Sequence, residues 1–366
     1  MLYRSGFFWL MGTLLALLVI PGIASAKEEI PHIRLNFSQS SNHTALIVAL
    51  ALEDKHINDG YYVKSLLPKE RYELRKDDTP IAILDLIIGK SATETGTMYA
   101  QKHLDMALCS LTGIIVAVDK KTPVRIVSPL ILASGGLFTH TDIPATNWDS
   151  FIEYAKQVKE PIRIGYHSPN SAPIIIFRGA LEAEGIVFTY DPYDMDAQVV
   201  LVDLKGTQNL HPALVSKQVE GAVASDPNPQ AAVFRGYANY IEPLRKMPPE
   251  NKWAEYPCCV ISASQSLIDS NSEVVQHVVN FINASAKWCT ENQETAGVTL
   301  ANWIGIDPEI GKMLRPVYLQ SFTDSWKQGA DGYLGELNKS NYFTGILKEK
   351  SFSEIEDILI DYRFTR

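Results

Sequence analysis

Two polar loops, 38–44 and 168–172, are the parts of the sequence best suited to hold a small polar solute. Serine, asparagine and histidine side chains donate and accept hydrogen bonds without adding a fixed charge. The candidates in or beside these loops are Ser38, Ser40, Ser41, Asn42, His43, His167, Ser168, Asn170 and Ser171. For the serines and asparagines, capping of the following helix is the alternative role. For the two histidines, the alternative is a hydrogen bond within the protein.

Three later segments add candidates for the same ligand site. Cys109-Ser110 ends the segment "HLDMALCS", Ser225-Asp226 ends "QVEGAVASD", and Cys258 lies in "YPCCVI". An ionised Asp226 facing a cleft would repel an anion and would suit a cationic group on a ligand. A turn formed by Asp before Pro is the alternative role for this residue.

The cysteines allow three interpretations. They are small buried apolar residues, members of a disulfide in an oxidising compartment, or a thiol or metal site that includes the two loop histidines. The four cysteines are Cys109, Cys258, Cys259 and Cys289. No pair has C-x-x-C spacing, which argues against a zinc ribbon or a thioredoxin-type site, and we predict no cofactor and no bound metal. Because neighbouring side chains of a strand point to opposite faces, we expect only one of Cys258 and Cys259 to face a ligand.

The elements that position these residues occur twice. The segments "IRLNFSQSSNHTALIVALALEDKHI" (33–57) and "IRIGYHSPNSAPIIIFRGALEAEGI" (162–186) both predict a strand, a polar loop and a buried helix. Each is followed by a helix and a strand that ends at a serine, with Asp105 of the first copy aligned on Glu220 of the second. Alternating strands and helices predict an α/β fold with mainly parallel sheets, which bind ligands beyond the carboxyl ends of their strands. Two such units would form two half-sites around one cleft.

The ends and the composition of the chain predict an exported protein. Residues 1–26 have one positive charge, an apolar stretch and a small-residue site, which is typical of a signal peptide cleaved after Ala26. A membrane anchor is the alternative, although the apolar run is short and is interrupted by Pro21-Gly22. The formal net charge of −9 and the absence of a basic stripe argue against nucleic-acid binding. We therefore predict a periplasmic location without stable membrane insertion.

The order of the segments resembles the solute-binding proteins of ABC importers, in the branch for nitrate, sulfonates, taurine and thiamine-precursor pyrimidines. The segments that carry the resemblance are "IRLNFSQSSNHTALIVALALEDK", "HLDMALCS", "IRIGYHSPNSAPIIIFRGALEAEG", "ALVSKQVEGAVASDPNPQAA" and "LIDSNSEVVQHVVNFINASAKWCTENQETA". The resemblance implies a two-lobed type II periplasmic binding protein fold with a hinge and an interlobe ligand cleft. Lobe one would comprise 30–132 plus 259–366, and lobe two 133–258. The chain would cross between the lobes near Ile131–Leu137 and near Tyr256–Ile261.

This resemblance implies a binding function. A monomeric protein without chemistry of its own would capture a small polar or anionic metabolite, close about its hinge and deliver the ligand to an importer permease. One alternative is an enzyme similar to the pyrimidine synthases of thiamine biosynthesis, although "YPCCVI" is shorter than the cysteine run of that family. The other is a periplasmic sensor with the same fold. The proposed loops contain no Arg or Lys, and the identity of the ligand stays open.

Overall fold

The structure, a computed structural model, describes residues 29–53, 60–169 and 171–365. The predicted signal peptide lies outside these residues. Among the residues that are described, no helix combines the length and the apolar character needed to cross a bilayer.

The described strands and helices alternate along most of the chain. The strands are β1 His32–Phe37, β2 Tyr61–Leu67, β3 Arg71–Lys76, β4 Thr79–Ile88, β5 Met106–Ser110, β6 Val124–Leu132, β7 Gly136–His140, β8 Ile162–Tyr166, β9 Phe188–Thr189, β10 Val199–Asp203, β11 Gly221–Ala224, β12 Ala238–Pro243 and β13 Pro257–Ser264. The helices are α1 Thr44–Leu52, α2 Ala92–Ala100, α3 Leu111–Asp119, α4 Trp148–Gln157, α5 Ala172–Ala183, α6 Leu210–Val215, α7 Asn228–Phe234, α8 Gln265–Ser270, α9 Ser272–Glu291, α10 Gln293–Ile304, α11 Pro308–Lys312, α12 Asp324–Lys339 and α13 Phe352–Leu359. The predicted strand–loop–helix units thus form β1–α1 and β8–α5.

Two mixed sheets contain these strands, in the orders β2-β3-β4-β1-β5-β13-β6 and β12-β7-β11-β8-β10-β9. Strand β1 pairs in parallel with β4 and β5, and β8 pairs in parallel with β10 and β11. The two repeated units therefore occupy equivalent central positions in their sheets.

The expectation of mainly parallel sheets is wrong. Strands β2, β3 and β4 form an antiparallel meander, in which consecutive strands pair through tight turns. Strand β13 runs antiparallel to β5 and β6, and β7 runs antiparallel to β11 and β12. The chain reaches β7 and β13 directly from the other sheet. The side from which it arrives sets the direction of each of these strands.

One ionic contact is repeated in both sheets. Arg34 on β1 donates from its backbone N–H and its Nε to Asp105, at 2.9 and 2.8 Å. Arg163 on β8 makes the same pair of bonds to Glu220, at 2.9 and 3.0 Å. Each guanidinium also donates to the carbonyl three residues before that carboxylate. The aligned positions of the sequence repeat are therefore equivalent in three dimensions.

The chain passes between the sheets twice. Residues 133–135 join β6 to β7, and residues 244–256 join β12 to β13. The two connections are hydrogen-bonded to each other, since the Ala133 N–H donates to the Tyr256 carbonyl at 2.8 Å. Strand β13 begins at Pro257, so Cys258 lies in the first sheet. The exact lobe boundaries stay a prediction.

The long helix α9 packs on α1 of the first sheet, together with α10. Its buried residues include Val274, Val275, Val278, Val279 and Ile282, the face that has helical periodicity in the sequence. Helices α10 and α11 approach each other closely at two glycines, because a Cβ at Gly297 would lie 2.1 Å from the carbonyl oxygen of Gly311. This contact positions the end of α10, which reaches the cleft described below.

Substitution of Gly297 by alanine should destabilise the protein. The added methyl group overlaps the backbone of α11, and such overpacking costs about 1–3 kcal/mol. The matched control is Gly335→Ala on α12, where a Cβ meets nothing within 4 Å and where the better helix propensity should add up to about 1 kcal/mol. Urea unfolding measures both changes. Equal midpoints for Gly297→Ala and the parent protein would contradict the close approach.

Candidate functional site

A cleft of about 440 Å³ lies between the two sheets and is lined by residues from both. It lies beyond the carboxyl ends of β1, β5, β8 and β11, where parallel strands of an α/β fold present their loops. The predicted site residues that line it are Ser38, Ser40, Asn42, His43, Cys109, Ser110, His167, Ser171, Ser225 and Cys258.

Three predicted site residues are buried behind this lining. They are Ser41, Ser168 and Asp226. The Ser41 hydroxyl donates to the Asp226 carbonyl oxygen at 2.8 Å, a buried bond between a loop of the first sheet and a loop of the second. The Asp226 carboxylate accepts from Gln230 Nε2 at 2.6 Å. Asn170 lies outside the described residues, and ligand contact by any of the fourteen predicted site residues stays a prediction.

The cleft is also lined by two cationic residues, which the polar loops of the sequence did not predict. Lys90 follows β4, and Arg235 ends α7 on the other side of the cleft; both side chains are exposed. Lys90 was detectable in principle, because β4 pairs in parallel with β1 and its carboxyl end must open at the same edge. Arg235 comes from the end of a helix, and nothing local in the sequence marks it.

Other lining residues missing from the predicted set are mostly neutral. They are Asn36, Gln39, Ile88, Gly89, Ser91, Ala92, Thr95, Leu108, Ala172, Pro173, Thr207, Gln208, His211, Pro227, Asn228, Ala231, Cys259, Ile304 and Ile306. No Asp or Glu occurs among the described residues that line the cleft. With neutral histidines, the lining therefore carries two positive charges and no negative one.

Two helices begin at the cleft with serines that do not cap them. Ser110 precedes α3 and Ser171 precedes α5, and neither side chain bonds to a backbone N–H of its helix. The Ser110 hydroxyl instead pairs with Thr112 at 2.7 Å, and the Ser171 hydroxyl donates to the Ser168 carbonyl at 2.8 Å. Both helices therefore direct the positive end of their dipole at the cleft, which favours an electron-rich group there.

His43 is held in one tautomer by its own loop. The backbone N–H of Ser38 donates to His43 Nδ1 at 2.8 Å, so Nδ1 is the acceptor and the proton of the neutral ring is on Nε2. Burial lowers the pKa of His43 to about 4, which keeps the ring neutral at physiological pH. Nε2 is buried and has no hydrogen-bond partner among the described residues. His43, which lines the cleft, therefore holds a buried N–H donor that has no partner in the described chain.

His167 is the equivalent residue of the second unit. Its Nδ1 atom is buried, again without a partner in the described part of the chain. Desolvation lowers its pKa to about 4, against a smaller opposing effect of Asp203. The cleft is thus flanked by two neutral imidazoles rather than two imidazolium ions.

Both Cys258 and Cys259 line the cleft, so the expectation that only one of them faces it is wrong. Strand β13 has register shifts on both sides of Cys259 against β6, and such irregularities break the alternation of side chains. All four cysteines are buried free thiols. Burial raises the pKa of Cys109 to about 12, and Cys289 lies apart, between Val48 and Ala296. No group of three or more His, Cys, Asp or Glu is arranged to hold a metal ion in the described residues.

The tautomer of His43 can be observed without a ligand. Proton–nitrogen correlation spectra of the imidazole rings should show His43 as the neutral Nε2–H form, unchanged between about pH 7.5 and about pH 5, because its pKa is lowered to about 4. The His43→Gln variant assigns the signal, and the exposed His103 provides the reference spectrum. A His43 ring that gains a proton in this range would contradict the burial argument.

Asp226 should make stability depend on pH. Burial raises its pKa from 3.8 to about 6, so the unfolded chain releases this proton at lower pH than the folded protein. Stability is therefore lost as the pH rises from about 4 through about 6, by up to about 3 kcal/mol at pH 7. The Asp226→Asn variant removes this loss.

The difference in unfolding free energy between Asp226→Asn and the parent protein isolates this effect, since the histidine contributions cancel. It should grow in favour of the variant between about pH 4 and about pH 7. A pH-independent difference would show that Asp226 ionises normally.

This architecture occurs in several solved structures of ligand-binding proteins. A ligand-binding component of an ABC-type import system from Staphylococcus aureus, solved with zinc bound, aligns with a TM-score of 0.68 and 10% identity over 92% of this chain and 98% of that one. The nitrate-binding protein NrtA from Synechocystis PCC 6803 aligns with a TM-score of 0.65 and 13% identity, over 91% and 86%. The alkanesulfonate-binding protein SsuA from Xanthomonas axonopodis pv. citri, bound to MOPS, aligns with a TM-score of 0.62 and 11% identity, over 87% and 96%.

These identities show the fold and no more, and they confirm the predicted α/β two-lobed periplasmic binding protein class. No curated protein sequence matches the chain significantly. A family model described as the NMT1-like family matches residues 26–305. This match covers more than half of the chain, so the protein belongs to the NMT1-like family.

Proposed function

We propose that this protein is the solute-binding component of an ABC import system and that its cleft holds a small anionic metabolite. The observation that carries the proposal is the charge of the lining: two cations from opposite sides, neutral hydrogen-bond donors between them, and no carboxylate in the described lining. Closure about the two connections between the sheets would bury the ligand, and a membrane permease would receive it. The protein would act as an exported monomer.

The size of the cleft favours an anion with an organic body. A volume of about 440 Å³ equals that of about fifteen waters, at about 30 Å³ each. A bare oxyanion would fill only a small part of it. The apolar lining of Ile88, Leu108, Ile304 and Ile306 offers a surface for a carbon skeleton. The structurally similar proteins that bind nitrate and alkanesulfonates support an anionic ligand.

Native mass spectrometry of protein purified without refolding tests the proposal first. An excess mass that is lost on denaturation would identify a bound solute and its class. A protein that carries nothing would next be titrated calorimetrically with nitrate and a simple alkanesulfonate as probes. Failure of every anion, with binding of a cationic probe such as an alkylamine, would overturn the charge argument.

Removal of either cleft cation should weaken the binding of an anionic probe. We expect Lys90→Gln and Arg235→Gln each to raise the dissociation constant by about tenfold to a hundredfold, since a hydrogen bond to a charged group contributes about 1.5–3 kcal/mol. Lys287→Gln, at an exposed position of α9, is the control with the same change in net charge. An equal weakening in the control would assign the effect to the overall charge of the protein.

A further inference from the structure

The base of the cleft contains a pair of adjacent thiols to which the proposed function gives no role. The Sγ atoms of Cys258 and Cys259 are 3.6 Å apart, and both residues line the cleft. Adjacent residues of a regular strand would point these atoms to opposite faces. The register shifts around Cys259 instead bring the two sulfur atoms together.

The first of these thiols is tied to the connections between the sheets. Asn42 Nδ2 donates to Cys258 Sγ at 3.4 Å, and Asn42 Oδ1 accepts from the Ser134 hydroxyl at 2.9 Å. Ser134 lies in the first connection, and Cys258 is the second residue after the other connection. A chemical change at Cys258 therefore acts on a contact that joins a cleft loop to both connections.

We propose that Cys258 and Cys259 are a redox modification site, at which exchange with a small disulfide that enters the cleft forms a reversible disulfide between the two neighbours. The Cys258 thiol loses its proton, attacks one sulfur of the incoming disulfide and releases one thiolate. The Cys259 thiol then loses its proton, attacks Cys258 Sγ and releases the second thiolate. The two released thiolates take up the two protons, so one disulfide is reduced to two thiols while the protein loses two hydrogen atoms.

The order of attack follows from the surroundings of each sulfur. The Asn42 amide donates to Cys258 Sγ, an interaction that a thiolate makes more strongly than a thiol. The hydrogen bond with Cys258 and burial raise the pKa of Cys259. Proximity then favours ring closure over a lasting mixed disulfide.

The product would be strained and therefore easily reduced. The Cα atoms of neighbouring residues are about 3.8 Å apart, whereas disulfides usually join Cα atoms about 4.4–6.8 Å apart. Strained disulfides are the labile ones, which suits a switch rather than a structural bond. Closure of the ring also draws Cys258 Sγ from Asn42 and leaves the Asn42 amide free at the cleft.

The other cysteines have different partners. Cys109 Sγ lies 3.5 Å from the Ser262 hydroxyl, and Cys109 faces Val260 in the strand register. Cys289 is fully buried in a separate cluster. Neither is expected to react in the folded protein.

The test uses the purified protein without a ligand, so its result is independent of the proposed transport function. The protein is equilibrated under native conditions with graded mixtures of hydroxyethyl disulfide and mercaptoethanol, quenched with acid, unfolded and alkylated with iodoacetamide. Digestion with trypsin separates the cysteines, because Cys258 and Cys259 share the peptide 253–287 while Cys109 and Cys289 lie in 103–120 and 288–312. We expect the peptide 253–287 to lose both alkylation sites and the mass of two hydrogen atoms, and mercaptoethanol to restore both sites.

Variants assign the bond. Cys258→Ser and Cys259→Ser should each abolish the mass loss, whereas Cys289→Ala and Cys109→Ala should retain it. Three results would overturn the proposal: full alkylation of Cys258 and Cys259 at every disulfide ratio, a mixed disulfide that persists at Cys258, or a cross-link between the peptides 103–120 and 253–287. If Cys258→Ser or Cys259→Ser fails to fold, retention of the mass loss in Cys109→Ala still shows that Cys109 is not part of the bond.

Discussion

The double passage of the chain between two sheets is the constraint on which the cleft depends. The residues 133–135 and 244–256 run side by side, joined by the bond from the Ala133 N–H to the Tyr256 carbonyl. Gly135 has a positive φ of 95°, and a Cβ there would lie 2.1 Å from the Ala224 carbonyl oxygen. The first connection thus passes directly beneath the end of β11, where Ser225 lines the cleft. Any change in the angle between the sheets must act at the base of the site.

Helix α12 packs against the second of these connections. Tyr333 stacks edge-on against Tyr256 at 4.2 Å between ring centroids, and Lys252 pairs with the buried Glu336 at 2.7 Å. Arg178 of α5 also bonds to Ser340, just beyond α12. The helix therefore contacts the second connection and a helix of the second sheet at once. A rotation between the sheets has to slide or keep these contacts.

The sequence predicted the parts of the fold that are encoded locally and twice. The predicted polar loops 38–44 and 168–172 lie between the observed strand and helix of each unit to within a residue, and the alignment of Asp105 with Glu220 marked a contact made in both copies. The directions of β7 and β13 depend on how the chain enters a sheet, which no local pattern records. Arg235 and the common orientation of Cys258 and Cys259 arise from tertiary placement and from a strand irregularity, so periodicity could not reveal them.

In this cleft, the residues that attract an anion differ from the residues that would recognise it. If His43 or His167 were protonated, the buried imidazolium ion would lose its hydration. Desolvation accordingly lowers the pKa of both rings to about 4. The cations Lys90 and Arg235 are exposed, so they keep water and attract an anion without a burial cost. Inside, neutral donors such as His43 Nε2–H lack a partner in the described chain, and a ligand without a matching acceptor would leave them unsatisfied. Selectivity among anions would therefore come from the position of the ligand's acceptor atoms, and its negative charge would add affinity through Lys90 and Arg235 and speed the encounter.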